Sequence, residues 1–182
     1  MTSDVRLRLN LATYDGTPFR DSVKRCEAVG LTFSSLASLG DTDTHRRQLH
    51  TLNRECSRES AGRGRFESYD DYAAELLDRP EYSSDGTIVA LDGDAWVGMV
   101  MLSVWGEQDF LFNEMTGVIA SHRRRGIAMA LKALSMCFAQ STTCSYVFTF
   151  HDPMNTAAIA LNRRFGFVVV GHDDWWPLDD LR

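Results

Sequence analysis

The residue types able to do chemistry gather in two segments of this chain. The first is Arg123-Arg124-Arg125-Gly126-Ile127-Ala128, which follows a strand-like run, Phe110 to Val118, and opens an apolar-periodic helix. Free N–H groups and the positive end of the helix dipole make such a start a ready anion site. Gly126 has no side chain and Ala128 a small one, so a phosphate can approach the backbone closely. Each of the three arginines can clamp phosphate oxygens in two-point fashion. The turn therefore reads as a site for a phosphorylated ligand. A solvated arginine cluster marking a helix start is the plain alternative. The second segment runs from Asn155 through a short apolar helix to Asn162, Arg163, Arg164 and Phe165-Gly166-Phe167.

The elements that must position these segments follow from periodicity. Val5, Leu7, Leu9 and Leu11 alternate with polar residues, which predicts a half-buried strand. Thr17 and Pro18 start a helix over Pro18 to Val29, stopped at Gly30, and a strand Leu31 to Leu36 follows. Asp41 or Thr42 caps a long polar helix ending near Ser60, and Ala61 to Gly64 breaks it. Ser68 caps a helix from Tyr69 to Leu77. Thr87 to Leu91, a turn at Asp92-Gly93-Asp94, and Ala95 to Val104 form a hairpin. Its second strand is apolar on both faces, with Trp96, Gly98, Val100 and Leu102 on one and Val97, Met99 and Met101 on the other, so helices must cover both sides. Ile127, Leu131, Leu134 and Phe138 form a helical stripe, and Ser145 to Phe150, Asn155 to Phe165 and Phe167 to Val170 complete a strand–helix–strand ending.

Together the two segments resemble the GCN5-related N-acetyltransferase (GNAT) superfamily. Its pyrophosphate loop, Arg/Gln-x-x-Gly-x-Gly/Ala, is matched by Arg123, Gly126 and Ala128. Its later motif is matched by Asn155, the apolar helix and Phe165-Gly166-Phe167. The resemblance covers roughly residues 84–171, and Thr116-Gly117-Val118 with Asn162 to Phe167 look most like the mycothiol-synthase-type branch. It implies an α/β fold: a mixed, mostly antiparallel sheet flanked by helices, with a V-shaped splay between two central strands. Residues 1–40, read as strand–helix–strand, do not look like the family's usual start. They are taken as an N-terminal extension, an added subdomain or the remnant of a tandem arrangement, ahead of a GNAT-like domain over 41–182.

The resemblance implies acetyl-CoA as cosubstrate and no metal. Val118, Ile119 and Ala120 would pair with the pantetheine arm in the gap. Arg123, Arg124, Arg125, Gly126, Ile127 and Ala128 would hold the pyrophosphate, and Asn155 and Asn162 would reach cofactor amides. An extended amide-bearing arm adds to an open strand edge much as a β-strand would. Asn155 also fits a simple helix N-cap, and the two roles can coexist.

Acyl transfer to an amine needs a base, donors for the oxyanion and a fate for the leaving thiolate. Glu114 is the first candidate base, placed by the period of two on one strand face with Phe112, Thr116 and Val118; a solvent-facing carboxylate is the alternative. His151, just after a strand near the expected gap, is the second candidate, against an idle loop histidine. The N–H of Val118 is the candidate oxyanion donor. His122 is read as a loop residue whose arginine neighbours disfavour its protonated form. Many relatives in this superfamily carry a tyrosine proton donor where this chain has Asn162. Water, Tyr146 or Tyr14 would then serve, or the chemistry has lapsed. The acceptor pocket would draw on Trp105, Glu107, Asp109, Phe66, Tyr69, Tyr72 and the tail Asp173, Asp174, Trp175 and Trp176, a lining that suits a cationic amine.

Composition sets the class of protein. The 182 residues suffice for one buried α/β domain. At 44% hydrophobic and 24% charged, with net charge −6, the chain is neither disordered nor a general polyanion binder. Four cysteines, Cys26, Cys56, Cys137 and Cys144, lack metal or redox spacing. Cys26 and Cys137 read as small hydrophobes within helices. Met1 to Arg6 lack an apolar signal core and no stretch approaches about 18 apolar residues, so neither a leader nor a membrane span is expected. The expectation is a cytoplasmic transferase, monomer or homodimer, acting on a small-molecule amine in a ternary complex, without nucleic acid or membrane partners. A non-catalytic acyl-CoA-binding regulatory or scaffolding domain is the alternative. A nucleotide-binding module of another fold is disfavoured by the later asparagine-to-Gly-Phe helix.

Overall fold

The computed structural model describes residues 4–58 and 68–171. The expectations placed on Phe66, on Ala61 to Gly64 and on Asp173 to Trp176 lie outside those residues. Seven strands form one sheet: β1 (Val5–Asn10), β2 (Leu31–Ser35), β3 (Thr87–Asp92), β4 (Ala95–Trp105), β5 (Phe110–Val118), β6 (Tyr146–His151) and β7 (Val168–Val169). Their spatial order is β2-β3-β4-β5-β6-β1-β7. Every neighbouring pair is antiparallel except β5 and β6, which run parallel. Residues 1–40 thus place two strands within this sheet, β2 at one edge and β1 between β6 and β7.

Among the described residues, six helices cover the sheet: α1 (Arg20–Glu27), α2 (Leu36–Leu39), α3 (Asp43–Ser57), α4 (Tyr69–Tyr72), α5 (Ile127–Ser141) and α6 (Thr156–Arg164). On one face, Cys26 of α1 and Ile127, Ala130 and Leu131 of α5 pack on Val97, Val100 and Val118, while Leu161 of α6 joins Leu7, Leu9, Leu102 and Phe165. On the other, Leu49, Leu52 and Cys56 of α3 and Tyr72 of α4 pack on Val89, Met99 and Met101. Tyr72 and Trp105, considered above as pocket lining, are core residues at 0% and 7% exposure. Of the cysteines, Cys137 is exposed on α5, so it is not the packed hydrophobe its neighbours imply.

Local chemistry explains most element ends. Thr42 Oγ1 caps α3 by accepting the His45 N–H at 3.3 Å, and Ser68 Oγ caps α4 by accepting that of Asp71 at 3.1 Å. A π-turn, Ala73–Leu77, continues α4. At the start of the first helix the expectation fails. Thr17 lies inside a 3₁₀ turn (Thr17–Phe19) rather than capping, and its N–H goes to Asp15 Oδ1 at 2.8 Å.

Two bulges correct the expected strand faces. The β3–β4 register steps from Ala90↔Gly98 to Leu91↔Trp96, so Val97 joins the Val100 face and Trp96 the Met99 face. The β4–β5 register steps from Met101↔Met115 to Leu102↔Asn113, leaving Glu114 as the extra residue. Glu114 keeps the face of Phe112, but Thr116 and Val118 are turned to the α5 side, against the uninterrupted alternation expected.

The fully buried Leu7 of β1 ties the ends of the chain together, pairing with Thr149 on one side and Val169 on the other. Leu7→Ala is expected to lower unfolding free energy by about 2–5 kcal/mol in a denaturant titration, the usual cost of a core leucine truncation. A loss under about 1 kcal/mol would place β1 outside the cooperative core.

Candidate active site

The central feature is a gap between β5 and β6. The two strands pair at only three positions, Phe110↔Tyr146, Leu111↔Val147 and Phe112↔Phe148. Beyond them Asn113 to Val118 and Thr149 to His151 run apart. Because the Ile119 N–H turns to the Val97 carbonyl of β4 at 3.0 Å, alternation directs the peptide groups of Val118 and Thr116 away from β4, into the gap. The Val118 N–H therefore faces the gap. Its carbonyl accepts from Arg123 Nε at 3.1 Å, so that part of the expected pantetheine-pairing edge is already committed.

The arginine turn closes the wide end of the gap. Gly126 precedes α5 with φ 83°, and no side chain caps the helix start. Arg124 also has positive φ, at 64°. Such alternation of hand turns successive N–H groups toward one concavity. The three arginines divide their roles. Arg123 buttresses Val118, and Arg125 Nη1 lies 3.6 Å from Asp92 Oδ2. Arg124 has no side-chain partner among the described residues. His122 faces a carboxylate, Asp92 Oδ2 at 3.1 Å, rather than arginine side chains alone. An uncapped, glycine-opened helix start with arginines on its rim fits a diphosphate, and the strand edge leading from it fits an extended amide arm.

At the narrow end the gap is closed by buried polar groups that the sequence reading missed. Thr149 Oγ1 donates to the Asn113 carbonyl at 3.2 Å, across the point where the strands separate. Asn113 Oδ1 accepts from Thr116 Oγ1 at 3.1 Å and from Lys132 Nζ at 2.6 Å. Lys132 is 1% exposed, and its ammonium lies 4.4 Å from the centre of the Phe167 ring. Burial alone drives its pKa down to about 7. One signal was available: Lys132 is the single charged residue in the fifteen of α5.

The two candidate bases lie on opposite faces. Glu114 points to the α3–α4 side, where Ser103 Oγ donates to it at 2.7 Å and itself accepts from Trp105 Nε1 at 3.0 Å. A cavity of about 10 Å³ beside it, lined by Leu76, Arg79, Glu81, Tyr82, Met101 and Ser103, has room for one water. Tyr82 also donates to Asp41 Oδ1 at 3.3 Å. Asp41 borders an open depression of about 490 Å³ with Asp43, Arg46, Tyr69, Asp70 and Asp78. Within it, Arg46 grips Asp41 through two contacts of 2.9 Å.

His151 belongs to the last position of β6 and meets α6. Asn162 Nδ2 donates to the Ala158 carbonyl at 3.0 Å and meets His151 Nε2 at 2.9 Å. The Ala158 bond fixes the amide orientation, so Nε2 is the acceptor and the ring proton belongs on Nδ1. Both amide hydrogens of Asn162 are thus spent, and its buried Oδ1 has no partner among the described residues. Asn155 does cap α6, accepting the Ala158 N–H at 3.3 Å, which leaves its NH₂ for other contacts. Among the described residues, no three His, Cys, Asp or Glu side chains are arranged to hold a metal ion.

Comparison with known proteins places this architecture. The profile of the acetyltransferase (GNAT) family matches residues 46–167, and the chain belongs to that family. No curated protein sequence matches it. Among solved structures, it is similar to the glucosamine N-acetyltransferase region of a fungal multi-domain GH3 β-N-acetylglucosaminidase (TM-score 0.64, 13% identity, 92% of this chain and 20% of that one). It is also similar to a GCN5-related N-acetyltransferase from Sphaerobacter thermophilus (0.64, 15%, 92% and 48%). A third is AAC(6')-Iy in complex with the bisubstrate analogue CoA-S-monomethyl-acetylneamine (0.58, 16%, 78% and 93%). The chain spans about a fifth of the first of these and about half of the second. These likenesses bear on the fold.

Lys132 gives the site a pH signature. Its folded pKa lies below the unfolded lysine value, so the unfolded chain binds more protons between pH 7 and 10 and stability rises with pH there. Lys132→Met is expected to be more stable than the unsubstituted protein at pH 7.5. That advantage should shrink by about 1 kcal/mol per pH unit up to pH 9 in chemical denaturation. A difference independent of pH would show that Lys132 keeps an ordinary pKa.

Proposed function

We propose that this chain is an N-acyltransferase that moves an acetyl group from acetyl-CoA to an amine of a small molecule, by direct transfer with both substrates bound. The observation that carries this reading is the gap itself. An uncapped helix start rimmed by arginines opens onto a strand edge with inward-facing peptide groups, and the edge ends at a polar apex. In this reading the N–H groups at Gly126 to Ala128, with Arg124, hold the diphosphate, while Thr116 and Val118 pair with the amide arm. When bound, acetyl-CoA supplies the activated thioester. Negative charge on the thioester oxygen would need a donor at the narrow end of the gap, ~17 Å of strand from Val118, so the Val118 N–H serves the arm and not the oxyanion.

Glu114 is the base this reading favours. Ser103 orients it, and the adjacent one-water cavity offers a route for a proton from an acceptor on the α3–α4 face. His151 is the weaker candidate, because its Nε2 lone pair is held by Asn162. Cysteine-mediated transfer is disfavoured: Cys56 packs against Gly117, and burial pushes its thiol up to about 12. In the depression, Asp41 and Asp78 pair with Arg46 and Asp43 with Arg47, which leaves Asp70 to meet a small cationic amine. The relatives named for glucosamine and neamine chemistry support an amine acceptor. The net charge of −6 argues against a polyanion partner. Cytoplasmic residence, a monomer or homodimer, and placement near the mycothiol-synthase-type branch through Thr116 to Val118 and Asn162 to Phe167 belong to the same proposal. A second reading, acyl-CoA binding without turnover, is favoured by one observation: Asn162 has no proton to give where many family members carry tyrosine.

Acetyl-CoA is expected to raise the thermal midpoint by several degrees at 100 times its Kd. Gly126→Val, which forces a β-branched residue to positive φ, should abolish the rise while leaving the unliganded protein folded. No rise with the unsubstituted protein would refute the binding site. With pooled amines, free-thiol release should fall at least 100-fold in Glu114→Gln. Unchanged release would remove Glu114 from the chemistry, and no release with any amine would favour the binding-only reading.

A further inference from the structure

We propose that Lys132 is a substrate-contacting residue of this site, its ammonium meeting the carrier's sulfur at the apex of the gap and supplying the proton that the departing thiolate takes up. The proposal rests on the acyl-carrier reading above and adds the residue that handles the leaving group. Four observations point to it.

The first is position. The stretch of β5 from Val118 back to Asn113 spans five residue steps, ~17 Å of strand. That is comparable to the length of an extended two-amide arm. A carrier anchored at Gly126 and laid along this edge therefore brings its terminal sulfur to Asn113, the residue that Lys132 touches at 2.6 Å. The second is valence. An ammonium has three N–H bonds. One goes to Asn113 and the Phe167 ring face takes the cation on another side, so at least one N–H has no acceptor among the described residues.

The third is the absence of a compensating charge. Desolvation is the one cause acting on Lys132, and no carboxylate among the described residues offsets it. Packed against it are Asn113 from β5 and Phe167 from the segment after α6. A buried cation with no anion is destabilising by itself, and an apolar side chain of the same length would fit better. A thiolate at the apex would supply the missing charge. With its pKa down to about 7, the amine also gives up and regains a proton readily near neutrality. The fourth is elimination on α6. Asn162 has both amide hydrogens committed to Ala158 and His151, so it offers a sulfur nothing to accept.

The proton balance closes. As the carbon–sulfur bond breaks, its electron pair stays on sulfur and one proton passes from Lys132 Nζ to it. The acceptor nitrogen, in forming the new carbon–nitrogen bond, releases one proton through Glu114 to solvent, and Lys132 regains one from solvent. Thioester and amine become amide and thiol.

Calorimetric titration with CoA and with desulfo-CoA, in which hydrogen replaces the thiol, tests this without knowing the acceptor. At pH 7.5 the unsubstituted protein should bind CoA about tenfold or more tighter than desulfo-CoA, the worth of a charge-assisted contact. Lys132→Met should bind the two alike while keeping the parental Kd for desulfo-CoA, which also reports a folded site. In the unsubstituted protein, bound CoA should show thiolate ultraviolet absorbance at a lower pH than free CoA, a readout that needs no variant. Equal affinities in the unsubstituted protein, or a preference that survives Lys132→Met, would overturn the role of Lys132 while leaving the carrier site intact. Binding of neither ligand would overturn the acyl-carrier reading and this proposal with it.

Discussion

Everything in the site depends on two parallel strands that stop pairing. β5 and β6 share three registers and then part, and the physical cause is written into β5 and its partner β4. The extra residue at Glu114 adds local bend and twist to β5 where the separation begins. β4 holds the far half of β5 in register through Gly98↔Val118, so β5 follows β4 rather than β6. Two glycines make this tight pairing possible. A Cβ at Gly117 would fall 2.6 Å from Cys56 of α3, and one at Gly98 would fall 3.1 Å from Leu131 of α5. Helices on both sides thereby press β5 into the path that opens the gap. The peptide groups exposed by the parting are the ones a ligand can use.

The bulge also sorts the chemistry by face. Without it, Glu114, Thr116 and Val118 would share one side, and carboxylate, arm and phosphate would compete for the same space. With it, Glu114 belongs to the α3–α4 side with Ser103 and Tyr82, while Thr116, Asn113 and Lys132 belong to the α5 side. The sheet becomes a partition with an opening: the depression around Asp41 on one face, the arginine turn on the other. The cost is a set of polar groups buried at the opening, nearly all of them satisfied by one another. Asn162 Oδ1 is the exception among the described residues.

Much of this was legible from the sequence because it depends on local signals. The strand alternation, the Thr42 and Ser68 caps, the Asp92–Asp94 turn and the Gly126 helix start are decided within a few residues, and they stand where periodicity and turn chemistry placed them. What was illegible is non-local. The bulges at Val97 and Glu114 arise from register between strands, so the side-chain faces beyond them came out inverted. Lys132 went unread because nothing within its own turn of helix says that Asn113 and Phe167 will enclose it. Thr17 shows a local signal overruled by a stronger neighbour, the Asp15 carboxylate. The arginine turn was recognised as basic, but Asp92, thirty residues earlier, decides which of its cations remain open to an anion.

The place of β1 has a consequence for how the chain reaches this state. Val5 pairs with His151 and Leu7 with Val169, so the start of the chain is a strand the end cannot do without. Such contacts are far apart in sequence, and loop closure on that scale slows folding. During synthesis β1 must wait, apolar face and edge exposed, until β6 and β7 have been delivered. The half of the sheet nearest β2 can assemble early, while the half carrying β6, α6 and the Phe167 ring is completed last. The polar cluster of Asn113 and Lys132 is therefore enclosed only with that closing step, when the Phe167 ring arrives.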